Sequence, residues 1–282
     1  MEEMEDQPVV RNKIIEVIKE DNNFQRFEVI KRNRNKRHKY GEFFVEGVRN
    51  INEAIRNKWE ISAFLYSGER DLSNWARDKL DNVKVEALYK MTDELMDKLS
   101  GKEDTSELLA IVKMKPDEFE RFKISENPLI VVIDRPSNRG NLGTLIRSCD
   151  ALGVDGLIMT GHSVDLYDPE TIVSSVGTFF SLPVLRLDSH KELYEWVQDQ
   201  KSGGVDFQII GTSAQADYPV NKCNFKKTTV LLLGNETVGL SRSYKEIADA
   251  MVEIPINGVA SSLNVSCAAS IVLYEIKRQR YL

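Results

Sequence analysis

The stretch "LIVVIDRPSNRGNLGTLIRSCDALG", residues 129 to 153, reads as a buried strand, a glycine-containing loop and a helix. That order also opens a dinucleotide-binding fold, where the pattern G-x-G-x-x-G relieves backbone crowding at three points. Gly140 and Gly143 stand at the second and third points, but Asn138 takes the place of the first glycine. The fingerprint is broken, so the rest of the chain must decide what this loop does.

The 282 residues are enough for one large or two ordinary domains, and 41% hydrophobic residues supply an ample core. No apolar run approaches the length of a membrane span. The start, "MEEMEDQPVV", lacks the basic and apolar regions of a secretory signal. Cys149, Cys223 and Cys267 lie far apart, in no metal or disulfide spacing, which suits small apolar fillers in a reducing cytosol. The expectation is a cytoplasmic protein without a metal. A net charge of −6 argues against a polyanionic partner, and neither part of the chain, divided after residue 125, is basic on balance. One local stripe runs the other way. "KRNRNKRHKY", residues 31–40, holds Lys31, Arg32, Arg34, Lys36, Arg37 and Lys39 with no acid. It is either a solvated helix-terminal charge run or an RNA contact, since lysine, arginine and amides suit phosphates.

From residue 42 onward strand-like and helix-like segments alternate. "EFFVEG", "ISAFLYSG", "VKVEALY" and "ELLAIVKM" read as strands of a small α/β unit that ends near residue 114. The polar stretch with two prolines, residues 115–128, serves as a linker. A second unit, 129–282, repeats the alternation with "LIVVID", "DGLIMTG", "LPVLRL", "FQIIGTS", "TVLLLGN" and "MVEIPI". Helical segments fall near 142–152, 169–180, 190–201 and 241–249, and a last helix starts near Ser262. Near-continuous Val/Ile/Leu runs between helices predict a parallel sheet covered on both faces. Ligands of such sheets sit at the carboxyl ends of the strands.

Three strand ends carry polar residues. In the first, Arg147 follows Asn141 by nearly two helical turns, so the two could face one site, or Asn141 could simply cap the helix. In the second, the apolar strand of "VLLLGNETVGLS" runs into Gly234, Asn235 and Glu236, a carboxylate that either caps a helix or works as a functional acid. In the third, "EIPINGVASSLNVSCAAS", Pro255 implies irregular backbone. Ser262 or Asn264 then offers an N-cap at a helix start whose free N–H groups could also meet a ligand.

Together these segments resemble the three motifs of the SpoU (TrmH-type) branch of the SPOUT methyltransferases, over residues 129 to 280. Upstream, "FFVEGVRNINEAI" is similar to the start of the substrate-binding domain of rRNA-directed members, while "SGKEDTSELLAIV" departs from that domain's usual pattern. The resemblance implies an α/β protein of two parts. A small ribosomal-protein-like RNA-binding domain, residues 1–114, would precede a parallel-sheet SPOUT domain with a deep trefoil knot, residues 129–282. The implied activity is metal-free methyl transfer from S-adenosylmethionine to a ribose 2′-hydroxyl in RNA. Backbone groups at Gly234, Ile254 and Leu263 would hold the cofactor, while Asn141, Arg147, Glu236, Ser262 and Asn264 match catalytic and pocket-lining positions. A homodimer is implied too. The amino-terminal domain favours 23S ribosomal RNA over the alternative of tRNA, and the intact motif residues oppose a non-catalytic RNA-binding or assembly factor.

Overall fold

The computed structural model describes residues 12–281; the acidic stretch "MEEMEDQPVV" lies outside them. Two compact units result: residues up to Lys115 together with Tyr167–Pro169, and Pro116–Leu166 with Glu170–Leu282.

The first unit contains β1 (Ile14–Val17), α1 (Asn22–Arg32), α2 (Arg34–Tyr40), β2 (Glu42–Glu46), α3 (Val48–Arg56), β3 (Ile61–Ser67), α4 (Asn74–Asn82), β4 (Ala87–Met91), α5 (Asp93–Leu99) and β5 (Leu108–Lys113). The sheet order is β1-β4-β3-β5-β2, with β5 antiparallel to both of its neighbours. Order therefore begins well before residue 42. Asp21 caps α1 by accepting the N–H groups of Asn23 and Phe24. Phe24, Phe27 and Ile30 then bury one stripe against Phe44, Leu65 and Leu109. Only three apolar anchors among many charges explain why this helix is faint in the sequence. Strand β4 starts four residues later than expected, because the Val83 N–H still bonds to Lys79 O at the end of α4.

The basic stretch divides in two. Arg32, Arg34, Lys36 and Lys39 are exposed, as expected of RNA contacts or a solvated run. Arg37 is not: it is 2% exposed, donates to Ile30 O (3.0 Å) and Lys31 O (2.6 Å), and pairs with Asp168 at 3.2 Å. Lys31 is half-buried, 5.3 Å from the Phe44 ring centroid, and donates to Leu99 O at 2.6 Å. Burial holds the Lys31 pKa below its ordinary value although Glu46 opposes the shift. In the folded unit Lys31 and Arg37, both expected to meet RNA, are engaged by its own carbonyls and by Asp168.

The second unit contains β6 (Leu129–Asp134), α6 (Arg139–Leu152), β7 (Gly156–Thr160), α7 (Pro169–Ser174), β8 (Val184–Leu187), α8 (His190–Ser202), β9 (Gln208–Thr212), β10 (Thr229–Leu233), α9 (Arg242–Ile247), β11 (Ala250–Val252) and α10 (Val265–Tyr281). Its sheet is wholly parallel in the order β11-β9-β10-β6-β7-β8. One side of the sheet packs Ile130, Val132, Val230 and Leu232 with Trp196 and Val197 of α8. Of the stretch read as a linker, residues 115–128, all but Lys115 cluster with this unit, because aromatic residues in the stretch find apolar cover. Phe119 stacks on Trp196 (4.9 Å between centroids) and Phe122 is 6% exposed.

The expected helix over 169–180 breaks after Ser174, where Val176 and Gly177 take positive φ. The expected strand 251–256 shrinks to Ala250–Val252, leaving the segment around Pro255 irregular. From this edge strand the chain returns to pack α10 along α6, a path that agrees with the trefoil knot of the resemblance. Gly143 sits where two helices meet. A Cβ there would stand 2.5 Å from Thr171 O and 2.6 Å from Ser174 Cβ, so this glycine lets α6 approach α7 closely.

Arg37→Ala should lower stability by about 3–5 kcal/mol in urea unfolding, because it removes a buried guanidinium that pairs with Asp168 and donates to two carbonyls. Lys39→Ala on the exposed face should leave it nearly unchanged.

Candidate active site

Strands β6 and β10 are adjacent, with Ile133 opposite Leu233, so their carboxyl ends deliver the first two motif loops side by side. The chain departs from this pair in opposite directions, toward β7 and β8 on one side and toward β9 and β11 on the other. Such a switch point leaves a crevice for a ligand.

Helix α6 begins at Arg139, with Asn138 as its cap accepting Asn141 N–H at 2.8 Å. Asn141 is therefore not the cap, and its side chain is available for other bonds. Its Oδ1 accepts from Asn264 Nδ2 at 3.0 Å, and its Nδ2 donates to Glu236 Oε1 at 3.4 Å. One carboxamide thus links all three motifs. Asn264 in turn caps α10, accepting Ser266 N–H at 2.9 Å. Ser266 Oγ donates to Asn141 O at 2.8 Å.

Glu236 accepts from Ser137 N–H (3.0 Å), Ser137 Oγ (2.8 Å) and Asn138 N–H (3.2 Å) as well. Burial pushes its carboxyl pKa up, but its own backbone N–H and the bonds from Ser137 and Asn141 outweigh burial and hold it below the ordinary value. It acts here as an ionised acceptor at the amino end of α6, where the helix dipole favours negative charge.

Beside this network lies a cavity of about 360 Å³. Gly234, Ile254 and Leu263, the three expected cofactor positions, all line it, as do Glu236 and Ser262. Leu233, Leu240, Ile256 and Val272 add apolar wall, and Thr212, Ser213 and Gln215 add a polar edge at the end of β9. Gly234 has no room for a side chain: a Cβ would meet Leu240 N at 2.4 Å and the Gly239 carbonyl carbon at 2.5 Å. A floor of bare backbone beneath apolar walls fits a flat heterocycle read by main-chain groups.

Arg147 lies on the exposed side of α6 and makes no hydrogen bond or ion pair among the described residues. Asn141, Glu236 and Asn264 are joined directly, Ser262 adjoins them in the cavity wall, and Arg147 stands outside that network. The sequence reading gives no site role to Ser137, Asn138 or Ser266. Each works through a backbone or hydroxyl donor, and only the S-N pair before Gly140 hinted at a cap. The polar edge at Thr212–Gln215 was signalled only by the end of the strand "FQIIGTS". Among the described residues no group of His, Cys, Asp and Glu could hold a metal, and no helix is long and apolar enough to cross a membrane.

A parallel sheet whose strand ends carry these three linked motifs defines the class: residues 128–274 match the SpoU rRNA Methylase family and residues 21–110 the SpoU L30e-like domain, and the chain belongs to that family. Among its relatives is the 23S rRNA (uridine(2479)-2′-O)-methyltransferase of Streptomyces viridochromogenes, 43% identical over 257 residues, 91% of this chain and 90% of that protein. The Bacillus subtilis 23S rRNA (guanosine(2553)-2′-O)-methyltransferase RlmP is 27% identical over 86% of this chain and 90% of its own length. The crystal structure of the S. viridochromogenes SpoU methyltransferase AviRb in complex with the cofactor AdoMet superposes with a TM-score of 0.88 at 42% identity, covering 92% of this chain and 98% of that one.

The low Glu236 pKa has a directional consequence. A depressed carboxyl adds stability that is present above its unfolded pKa and lost as pH falls through the folded value. The stability gap between wild type and Glu236→Gln should therefore be constant above about pH 6 and shrink below about pH 4, read by unfolding curves across pH. A gap that widened on acidification would contradict this account of the bonds.

Proposed function

We propose that this chain transfers a methyl group from S-adenosylmethionine to a ribose 2′-hydroxyl of 23S ribosomal RNA. The observation that carries the reading is the single network of Asn141, Glu236 and Asn264 beside the cavity of Gly234, Ile254 and Leu263. Relatives of nearly full length, named for 2′-O-methylation of 23S rRNA, support it. One of those names specifies a uridine and the other a guanosine, so the base need not be what the family shares.

When bound, S-adenosylmethionine supplies a methyl group already activated by its sulfonium, and no metal is required. Gly234, Ile254 and Leu263 hold the cofactor through main-chain groups. Glu236 and Asn264 fix the Asn141 carboxamide, so the pocket edge needs little reorganisation when substrate arrives. Holding two reactants in line in this way can contribute roughly 7–11 kcal/mol. Arg147 is no general base, since a guanidinium presents only N–H donors and no acceptor for a proton. Its role is to clamp the adjacent phosphate with its planar fork and to stabilise negative charge growing on the 2′-oxygen. The exposed Arg32, Arg34, Lys36 and Lys39 suit phosphate contacts farther along the RNA. The setting is cytoplasmic.

Two copies of the chain pair in this reading. Cys267, Ile271 and Tyr274 line one exposed face of α10 at four- and three-residue spacing, and Ile271 and Tyr274 remain 43% and 55% exposed. An apolar helical stripe of this kind suits a partner helix. Light scattering should report a dimer; a monomer at working concentration would remove this element.

Labelled S-adenosylmethionine incubated with unmodified total RNA, followed by alkaline digestion, tests the activity. A 2′-O-methyl group removes the nucleophile that alkali needs, so label is expected in resistant dinucleotides from large ribosomal RNA. Label in mononucleotides would mean base methylation and would overturn the reading. Arg147→Lys keeps the charge but loses the fork, and should cost on the order of 100-fold in kcat with cofactor affinity unchanged. Retained turnover would remove the role given to Arg147.

A further inference from the structure

The cofactor cavity is floored by the loop after β10, and that loop is held from a second direction by two residues that no motif includes. β6 ends on Asp134, a carboxylate only 3% exposed. Adjacent residues of a strand point to opposite faces, so Asp134 and its neighbour Arg135 would not ordinarily meet. Here they do. Arg135 turns into left-handed backbone at φ 52°, a conformation that residues with a side chain seldom adopt. That turn folds its guanidinium back onto the preceding carboxylate. Nε donates to Asp134 Oδ1 at 3.0 Å and Nη2 to Oδ2 at 2.9 Å, a two-point grip.

The locked pair then reaches the loop at three places. Asp134 Oδ2 accepts the Ser241 N–H at 2.8 Å. Arg135 Nη2 donates to Gly239 O at 3.3 Å, and Arg135 O accepts from Asn235 Nδ2 at 2.7 Å. The loop is closed on itself between these points: Asn235 and Gly239 exchange backbone hydrogen bonds at 3.2 and 3.0 Å, and Asn235 Oδ1 accepts the Thr237 and Val238 N–H groups. What the pair holds is therefore one rigid piece carrying both Gly234, against which Gly239 and Leu240 press, and Glu236.

We propose that Asp134 and Arg135 are positioning residues of the methyl-transfer site, setting the height of the Gly234–Leu240 floor and with it cofactor affinity. The inference rests on the reading of this cavity as the S-adenosylmethionine site. Strain at Arg135 is tolerated because only that backbone turn lets one side chain grip both the carboxylate behind it and the carbonyl of Gly239. Neither residue touches the cavity, so they act through the loop alone.

The test compares Arg135→Ala with Arg135→Gly in the full chain, by isothermal titration with S-adenosylmethionine and by thermal melting. Both lose the guanidinium grip, but glycine accepts the left-handed backbone without strain and alanine does not. If the pair positions the floor, both variants should weaken cofactor binding by the same factor, about tenfold, while their melting temperatures differ. KM for RNA should stay at the wild-type value, and amide exchange at Thr237 and Val238 should quicken in both. If affinity instead follows stability, with the glycine variant near wild type and the alanine variant weak, the role is structural only and the proposal falls. Unchanged affinity in both variants overturns it as well. Failure of the wild-type chain to bind S-adenosylmethionine would overturn the cofactor reading first, and is distinguishable because it needs no variant.

Discussion

The whole site turns on one carboxylate. Glu236 accepts hydrogen bonds from two backbone N–H groups, one hydroxyl and one carboxamide, all belonging to residues 137–141. Those donors stand at the start of α6, where the first turn leaves N–H groups unsatisfied and the helix dipole is positive. An anion from a neighbouring strand end answers both needs. The loop after β10 is thereby tied to the loop after β6, and the cavity between the second and third motifs keeps its shape.

Parallel strands make this possible at small cost. Because β6 and β10 run side by side in the same direction, residues almost a hundred positions apart emerge at the same end of the sheet. The third motif arrives differently. Its strand, β11, is at the sheet edge, so an irregular segment through Pro255 and Gly258 must carry the chain back to α6 before α10 begins. Asn264 closes that return twice, capping α10 with its Oδ1 and reaching Asn141 with its Nδ2. One residue thereby starts a helix and completes a site.

The amino-terminal unit shows how the same residue type can serve opposite ends within ten positions. Lys31 and Arg37 sit in a run that looks uniformly solvated, yet α1 and α2 turn both inward. Arg37 gains two carbonyls and Asp168, and Lys31 gains Leu99 O. Arginine and lysine bury their stems readily if the head finds acceptors. Which cations of a basic run stay exposed is decided by the helix faces, and the faces depend on where the sheet lies.

By itself the sequence determined the alternation of strands and helices from residue 42, the parallel sheet of the second unit and the three strand-end motifs. All of these are written in local periodicity and in polar residues placed directly after apolar runs, which a single stretch of chain displays. Only the tertiary structure decided that Asn138 rather than Asn141 caps α6, that Asn141 joins Glu236 to Asn264, and that Asp134 and Arg135 grip the Gly239 loop. The last two depend on partners about a hundred residues apart, and the first on which of two nearby asparagines keeps extended backbone. A hydrogen bond selects its partner by distance and direction, and those exist only once the strands have been laid side by side.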